Sequence, residues 1–206
     1  MKLLKLMLLL AFVTVMAINC KAKKQETTNS EVTKMDRQKY EMTVFQSGNE
    51  LGKIIIETFP EEAPLHSANF DSLVTSGFYD GTAFHRVMAG FMIQGGCPNT
   101  KNHPDNPGVW GTGDPSQKRV PAEFNAGKPE WTHKRGMLSA ARTNDPNSAT
   151  SQFFIVHNHS PHLDGQYSIY GQVLEGIEVV DKIATAPVAG TTPVEKITMQ
   201  IKKLAK

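Results

Sequence analysis

Three stretches of this chain bring together side chains that could bind a ligand. They are Phe84 to Gly96, Leu138 to Ile155 and Leu163 to Gly171. Strand alternation would place Met92 with Gln94 on one face, and Gln152 with Phe154 on one face. Each pair joins an apolar group to an amide, so converging faces would form an apolar pocket rimmed by amides and by the cation of Arg86. The alternative, which the residues alone favour, is that the aromatic side chains are core and Arg86 is solvated.

Other common chemistries find little support in the sequence. There is no G-x-x-x-x-G-K-[ST] phosphate loop and no G-x-S-x-G nucleophile elbow. His157, His159 and His162 are close in sequence, but Pro161 lies between them and no matching cysteine or carboxylate set accompanies them, so we interpret them as surface-loop histidines. We interpret Cys97 as a loop residue rather than a hydrolase nucleophile. We therefore predict no metal and no cofactor.

Composition restricts the class of protein. The chain has 206 residues, of which 39% are hydrophobic, and this suits one domain with a substantial core. Lys and Arg total 22 and Asp and Glu total 20, for a formal charge of +2. A nonspecific nucleic-acid binder needs a basic surface that releases counterions, so we predict no nucleic-acid partner. We expect a monomer.

The N-terminal segment is predicted to be an export signal followed by a flexible linker, here called the tether. Residues 1–19 carry two lysines and then an uncharged apolar run, as export signals do, and the run is too short for a transmembrane helix. The residues Ala17-Ile18-Asn19-Cys20 resemble the lipobox of bacterial lipoproteins, in which the cysteine is lipidated; ordinary signal cleavage is the alternative. Residues 20–38 are polar and lack aromatic side chains, which favours a flexible tether.

This N-terminal pattern also predicts a location. The protein is expected to be exported and held by its lipid at a bacterial membrane, on the periplasmic or cell-surface side. With Cys20 lipidated or removed, Cys97 is the one cysteine left. An intrachain disulfide is then impossible despite an oxidising compartment, and the fold must be held by its core.

The remainder of the sequence indicates many short strands. Alternation over 40–45 and the β-branched run over 53–59 predict a hairpin. Further strand-like segments are 83–88, 91–94, 136–141, 151–156, 168–174 and 197–201. Residues 97–119 hold four prolines and three glycines, which predicts a long loop that is functional or mobile.

Two helices are predicted far apart in the chain. Pro64 suits a first helical turn, and the apolar spacing after it predicts a helix over 64–76. Ile177, Val180 and Ile183 lie at helical spacing and predict a second helix over 175–184. Many short strands with two such helices suggest a closed antiparallel β-barrel with helices over its open ends. A sandwich remains open from pattern alone.

The motifs quoted above, taken together, resemble those of a known family. F-H-R-V followed by G-F-M-I-Q-G-G, then S-Q-F-F-I, then L-D-G with a Tyr-Gly strand, is similar to the cyclophilin family of peptidyl-prolyl cis–trans isomerases. The resemblance runs in order from about Tyr40 to the C-terminus, and the segments around Ala141 to Gln152 resemble the bacterial branches. It implies a mostly β fold, an eight-stranded antiparallel cyclophilin-like barrel capped by two α-helices, over residues 39–206.

The resemblance also implies roles for individual residues. Arg86 matches the family's catalytic arginine and His85 its neighbour, whose role we leave open between catalytic and structural. The amides that bind the substrate backbone match Gln94 and Gln152. The matches to the hydrophobic proline pocket are Phe91, Met92, Phe154 and Leu163.

Three positions depart from the usual family pattern. Ala141, Arg142 and Thr143 match the segment that contacts the residue before proline, with Arg142 where the family often has Asn. Tyr167 stands in place of a histidine at the far side of the pocket. His162 stands where the family has a Trp that matters for cyclosporin, so the resemblance implies weak inhibition.

The expected function is isomerisation of X–Pro bonds in exported proteins, with unfolded or flexible proline-containing polypeptides as partners. No bond breaks in this reaction, so no nucleophile, metal or cofactor is needed. Two other classes stay open: a module that only binds proline-containing peptides, and a lipid-anchored structural protein in which the barrel is only scaffold.

Overall fold

The structure is a computed structural model, and it describes residues 36–124, 127–128 and 130–205. The predicted signal peptide, Cys20 and most of the predicted tether lie outside the described residues. The strands are β1 (Lys39–Gln46), β2 (Asn49–Thr58), β3 (Arg86–Met88), β4 (Met92–Gly95), β5 (Met137–Ala140), β6 (Phe153–Val156), β7 (Ile169–Glu175), β8 (Val188–Ala189), β9 (Thr192–Pro193) and β10 (Ile197–Lys203). The helices are α1 (Pro64–Thr75), α2 (Asn99–Asn102) and α3 (Ile177–Ala184).

Eight strands form one curled antiparallel sheet in the order β10-β1-β2-β7-β5-β6-β4-β3. Its two edges meet through the residues just before β3, because Ala83 bridges Thr198 and the Phe84 amide donates to the Ile197 carbonyl at 2.9 Å. The predicted eight-stranded antiparallel architecture is therefore confirmed, and the sandwich is not found. Closure rests on this short bridge rather than on a full ladder between β3 and β10.

Both predicted helices are confirmed, and they cover the apolar interior of the sheet. Phe70 of α1 packs edge-on against Tyr40 at 5.1 Å and against Phe153 at 6.0 Å. Helix α3 begins two residues later than predicted. Gly176 has a left-handed φ of +82°, so the chain turns there between β7 and the helix. None of the helices in the described part of the chain is long and apolar enough to cross a membrane.

Strand alternation separates two apolar clusters. Ile93, Phe153 and Ile155 are fully buried in the main core, as expected for inward positions. Their neighbours Met92 and Phe154 face the other side of the sheet and belong to a second cluster with Val156 and Leu163. The alternative that these aromatic side chains are core is correct for both Phe153 and Phe154, but Phe153 belongs to the main core and Phe154 to the second cluster.

The long loop over 97–119 is present and is ordered by its own hydrogen bonds. It contains α2 and a short 3-10 turn at Pro107–Val109. The Asn99 side-chain amide donates to Thr112 Oγ1 at 2.9 Å and to the Gly113 carbonyl at 2.8 Å. These bonds tie the start of the loop to the segment 111–113, which contacts the Gln152 side chain.

Candidate active site

The register of three adjacent strands aligns the central residues of the site. Arg86 of β3 is opposite Gln94 of β4, and Gln94 is opposite Phe154 of β6. Side chains at directly opposed positions lie on the same face of an antiparallel sheet. A cation, an amide and an aromatic ring therefore form one row on the outer face of the sheet.

A cavity of about 160 Å³ lies over this row, and it is called the proline pocket below after the site that the resemblance implies. Nine of the residues named from the sequence line it, and they supply both its apolar floor and its polar rim. They are Arg86, Phe91, Met92, Gln94, Ala141, Arg142, Phe154, Leu163 and Tyr167. Met92, Phe154 and Leu163 are almost fully buried, so the floor of this pocket is preformed.

A chain of hydrogen bonds orients the amides at the rim. Gln152 Nε2 donates to the Gly111 carbonyl at 3.0 Å, and Gln94 Nε2 donates to Gln152 Oε1 at 3.2 Å. Gln94 Oε1 then accepts from Arg86 Nη1 at 3.4 Å. Because each amide uses its nitrogen towards the loop, the oxygen of Gln94 faces the arginine.

Arg86 is held without being neutralised. Its Nη1 approaches Met92 Sδ at 3.6 Å, and its guanidinium carbon lies 5.8 Å from the centre of the Phe91 ring. No carboxylate of the described residues forms an ion pair with it. A guanidinium carries five N–H donors, so several remain for a ligand in the proline pocket.

His85 lies behind the site rather than in it. Its side chain is 6% exposed, it lines neither cavity described here, and its ring carbons and Nε2 lie close to Gly111. Both ring nitrogens are buried, and the Ala83 backbone and the Gln152 side chain are their polar neighbours. Burial lowers the pKa of His85 to about 4, so the ring is neutral near pH 7. The geometry places it as a support beneath the loop.

A second cavity of about 260 Å³ continues from the proline pocket. The two share Gln94, Ala141 and Arg142, so they adjoin at these residues. Gln152 and Thr143, both named from the sequence, line this second cavity. Sequence reasoning missed the loop residues that complete its wall, which are Gly111 to Pro115, Gln117 and Arg119.

A buried histidine that the sequence did not single out supports the pocket from below. His133 is fully buried, and its ring stacks on Phe154 at 6.0 Å and meets Tyr167 edge-on at 6.4 Å. Asp164 Oδ1 accepts from the His133 backbone amide at 2.7 Å and lies 2.8 Å from its Nδ1. Burial lowers the pKa of His133, and Asp164 offsets this only in part.

Asp164, His133 and Ser139 are arranged in the order of a hydrolase catalytic triad. Ser139 Oγ lies 3.2 Å from His133 Nε2, opposite Asp164. Ser139 is fully buried, however, and its hydroxyl donates to the Ser168 carbonyl at 2.9 Å. No substrate can reach this oxygen, so the group braces the pocket and does not perform nucleophilic chemistry.

The three histidines interpreted as surface-loop residues do not form a common site, since His157 and His162 contact different partners. His157 Nε2 pairs with Asp181 at 3.1 Å, and His162 lies against Phe91 with ring centres 5.4 Å apart. Within the part of the chain that the structure describes, no three His, Cys, Asp or Glu side chains are arranged to hold a metal ion.

Comparison with known proteins identifies the family to which this fold and site belong. Residues 42–204 match the family model described as cyclophilin type peptidyl-prolyl cis-trans isomerase. A peptidyl-prolyl cis-trans isomerase of Arabidopsis thaliana is 41% identical over 152 residues, covering 72% of this chain and 88% of the relative. Isomerase B of Bacillus subtilis is 40% identical over 152 residues, covering 74% and 95%.

Solved structures agree with this assignment. A cyclophilin of Cryptosporidium parvum superposes with a TM-score of 0.70 at 28% identity, covering 83% of this chain and 99% of that one. A second structure of it, determined in the presence of the dipeptide Ala-Pro, gives a TM-score of 0.69. The chain belongs to the cyclophilin-type peptidyl-prolyl cis–trans isomerases. Its activity is isomerisation of peptidyl-prolyl bonds, and its substrates are proline-containing peptides.

Proposed function

We propose that Arg86 is the catalytic group and that it acts on the twisted X–Pro bond. Amide resonance sets the rotation barrier at about 18–20 kcal/mol, and catalysis requires that the twisted state be bound better than either planar isomer. As the bond twists, the prolyl nitrogen regains its lone pair and becomes an acceptor. The free donors of Arg86, at the rim of the apolar cavity, are the observation that carries this proposal.

The remaining residues of the proline pocket hold the substrate on either side of the rotating bond. Phe91, Met92, Phe154 and Leu163 enclose the pyrrolidine ring. Gln94 and Gln152, whose amides are already oriented by the loop, bind the substrate backbone. Rotation is thereby confined to one bond, and the side chains need little reorganisation when the bond twists.

The Arg86 proposal is tested by exchange spectroscopy on a short Ala-Pro-Phe peptide. Arg86→Ala should lower the catalysed exchange rate by about 10²–10³-fold, because one preorganised charged donor is lost. The matched control is Arg37→Ala, since Arg37 pairs with Glu57 and Glu61 and does not line the proline pocket. Nearly full activity in Arg86→Ala would reject the role.

We further propose that the clients are exported proteins and that the enzyme is a lipid-anchored bacterial lipoprotein. The support is the N-terminal sequence: a basic start, an apolar run, Cys20 and a polar stretch before the domain. Slow prolyl isomerisation can limit folding, and cytoplasmic isomerases cannot follow a substrate across a membrane. The polar stretch would hold the catalytic domain, which acts as a monomer, away from the bilayer.

Mass spectrometry of the protein purified from membranes tests this second proposal. We expect a mature N-terminus at Cys20 that carries the mass of a lipid. A mature chain that begins elsewhere and carries no lipid would contradict the lipoprotein form. A proline-limited refolding assay on an exported protein tests the client class: the purified enzyme should speed the slow phase, and an unchanged phase would count against it.

A further inference from the structure

Two arginines at the proline pocket form no ion pair with any carboxylate of the described residues. Every arginine of the sequence lies in the described part of the chain. Three of them form ion pairs: Arg37 with Glu57 and Glu61, Arg119 with Asp145, and Arg135 with Asp181. Arg86 and Arg142 form none with the described residues, and both line the same cavity. The role proposed above accounts for Arg86, but not for Arg142.

Arg142 is held rigidly at the boundary between the two cavities. Its Nε and Nη2 donate to the Gln166 carbonyl at 3.1 and 2.8 Å, and its Nη1 donates to the Thr143 carbonyl at 2.8 Å. Its guanidinium carbon lies 4.4 Å from the centre of the Tyr167 ring. These contacts fix the guanidinium but leave its charge uncompensated, and its side chain is only half-buried.

Three charged side chains line the second cavity, Asp114, Arg119 and Arg142, and of these only Arg142 also lines the proline pocket. Asp114 keeps its negative charge, because hydrogen bonds from the Ser116 hydroxyl at 2.7 Å and amide at 2.8 Å lower its pKa, but Asp114 does not line the proline pocket. Arg119 is 3.5 Å from Asp145, and both side chains are largely exposed. The remaining lining is neutral: amides, hydroxyls and small residues.

We propose that Arg142 makes this isomerase favour substrates whose residue before proline carries a carboxylate. This inference rests on the proposed function, in which the pyrrolidine ring occupies the proline pocket. The preceding residue then lies at the boundary formed by Ala141 and Arg142. An Asp or Glu side chain there meets a fixed guanidinium that lacks a protein counter-charge, whereas a Lys side chain meets a like charge.

The test compares the peptides Ala-Glu-Pro-Phe and Ala-Gln-Pro-Phe at pH 7 and low salt. For each one, exchange spectroscopy gives the catalysed enhancement over its own uncatalysed rate. The full-length enzyme should enhance the Glu peptide about five times more than the Gln peptide, a preference typical of a partly exposed charge pair. In about 0.5 M salt the ratio should fall, because exposed charges are screened.

Substitutions of Arg142 test whether this side chain causes the Glu/Gln preference. Arg142→Gln should bring the Glu/Gln ratio close to one, whatever its absolute rate, and Arg142→Lys should keep part of it. Arg37→Gln, which removes an arginine far from the pocket lining, should keep the full ratio.

A ratio of one in the wild-type enzyme, with both peptides accelerated, would overturn the inference alone. A ratio that survives Arg142→Gln would also overturn it. Failure to accelerate either peptide would instead overturn the proposed function on which it depends.

Discussion

At the scale of single residues, the amides determine how the cation is presented to the pocket. Gln94 presents its oxygen to Arg86 because its nitrogen is committed to Gln152, and Gln152 is in turn committed to Gly111. A free amide could turn either end towards the arginine. The loop carbonyl therefore sets the direction of the whole chain of bonds, and it pre-orients the groups proposed to bind substrate.

Gln152→Leu tests this orientation. The substitution keeps most of the volume but leaves Gln94 Nε2 without its partner, so Gln94 can rotate and bond Arg86 differently. We expect kcat/KM for a short proline peptide to fall about tenfold, since the half-buried Gln94 amide loses one hydrogen bond and a substrate contact is lost. Wild-type kcat/KM in this variant would contradict the account of the amide chain.

His85 gives the protein a specific pH dependence of stability. Its native pKa is about 4, whereas the unfolded value is near 6.5, so the unfolded state takes up the proton first as pH falls. The contribution of neutral His85 is complete above pH 6.5 and is lost between about pH 6.5 and 4. The shift corresponds to at most about 3 kcal/mol in the free energy of unfolding.

Urea denaturation at a series of pH values measures this effect. Wild type should lose more stability between pH 7 and 4.5 than His85→Gln, because glutamine does not titrate. The comparison uses the slope of stability against pH, so a constant offset in the variant does not disturb it. Parallel curves would show that burial of His85 does not hold its pKa down.

At the scale of elements, two strands and one turn position the pocket together. The β4–β6 register brings Gln94 opposite Phe154, and the 3-10 turn at Pro161–Leu163 supplies Leu163. The turn is joined to the sheet by Asp164, which accepts both N–H groups of the buried His133. This one carboxylate therefore connects the turn to the ring stacked under Phe154.

Asp164→Ala should destabilise the protein by about 2 kcal/mol, because two buried donors of His133 lose their acceptor. It should also raise KM, since Leu163 and Phe154 lose their common support. The matched control is Asp105→Ala in the exposed part of the 97–119 loop, which should change stability by less than about 0.5 kcal/mol. Equal effects of the two substitutions in thermal unfolding would refute the supporting role.

Gly96 shows how closely the loop and β6 approach each other at the end of β4. It has a φ of +80°, and a Cβ there would lie 2.6 Å from the Ser151 carbonyl oxygen. Gly96→Ala should therefore cost about 2 kcal/mol or more of stability, from the left-handed backbone and from this overlap. Guanidinium denaturation measures it, and an unchanged midpoint would show that the contact can relax.

At the scale of the whole molecule, local sequence patterns predicted the strands and helices better than they predicted which residues line and support the site. Alternation, a β-branched run and short apolar runs located the eight strands of the main sheet, and alternation paired Met92 with Gln94 on one face. The two-residue strands β8 and β9 were missed, because segments so short carry no period. The buried partners His133 and Asp164 are 31 residues apart, and no local signal links them.

The loop residues that line the second cavity could not be predicted either, because no local pattern distinguishes them. Half of the lining of this cavity comes from the 97–119 loop, whose glycines and polar residues look alike in sequence whether they contact solvent or the amides of Gln94 and Gln152. The position of His85, in contrast, follows from alternation, since it precedes Arg86 directly and adjacent residues of an extended chain point to opposite faces. The resemblance supplied His85 as a candidate, and the geometry supplies its place behind the site.

The most direct test of the account separates binding from catalysis at Arg86. Exchange spectroscopy on a proline peptide titrated to saturation measures both the dissociation constant and the interconversion rate in the bound state. If Arg86 acts on the twisted bond, Arg86→Ala should change the dissociation constant by less than about threefold and slow bound-state interconversion by about 10²-fold or more. A variant that binds much more weakly but interconverts bound peptide at the wild-type rate would contradict this claim.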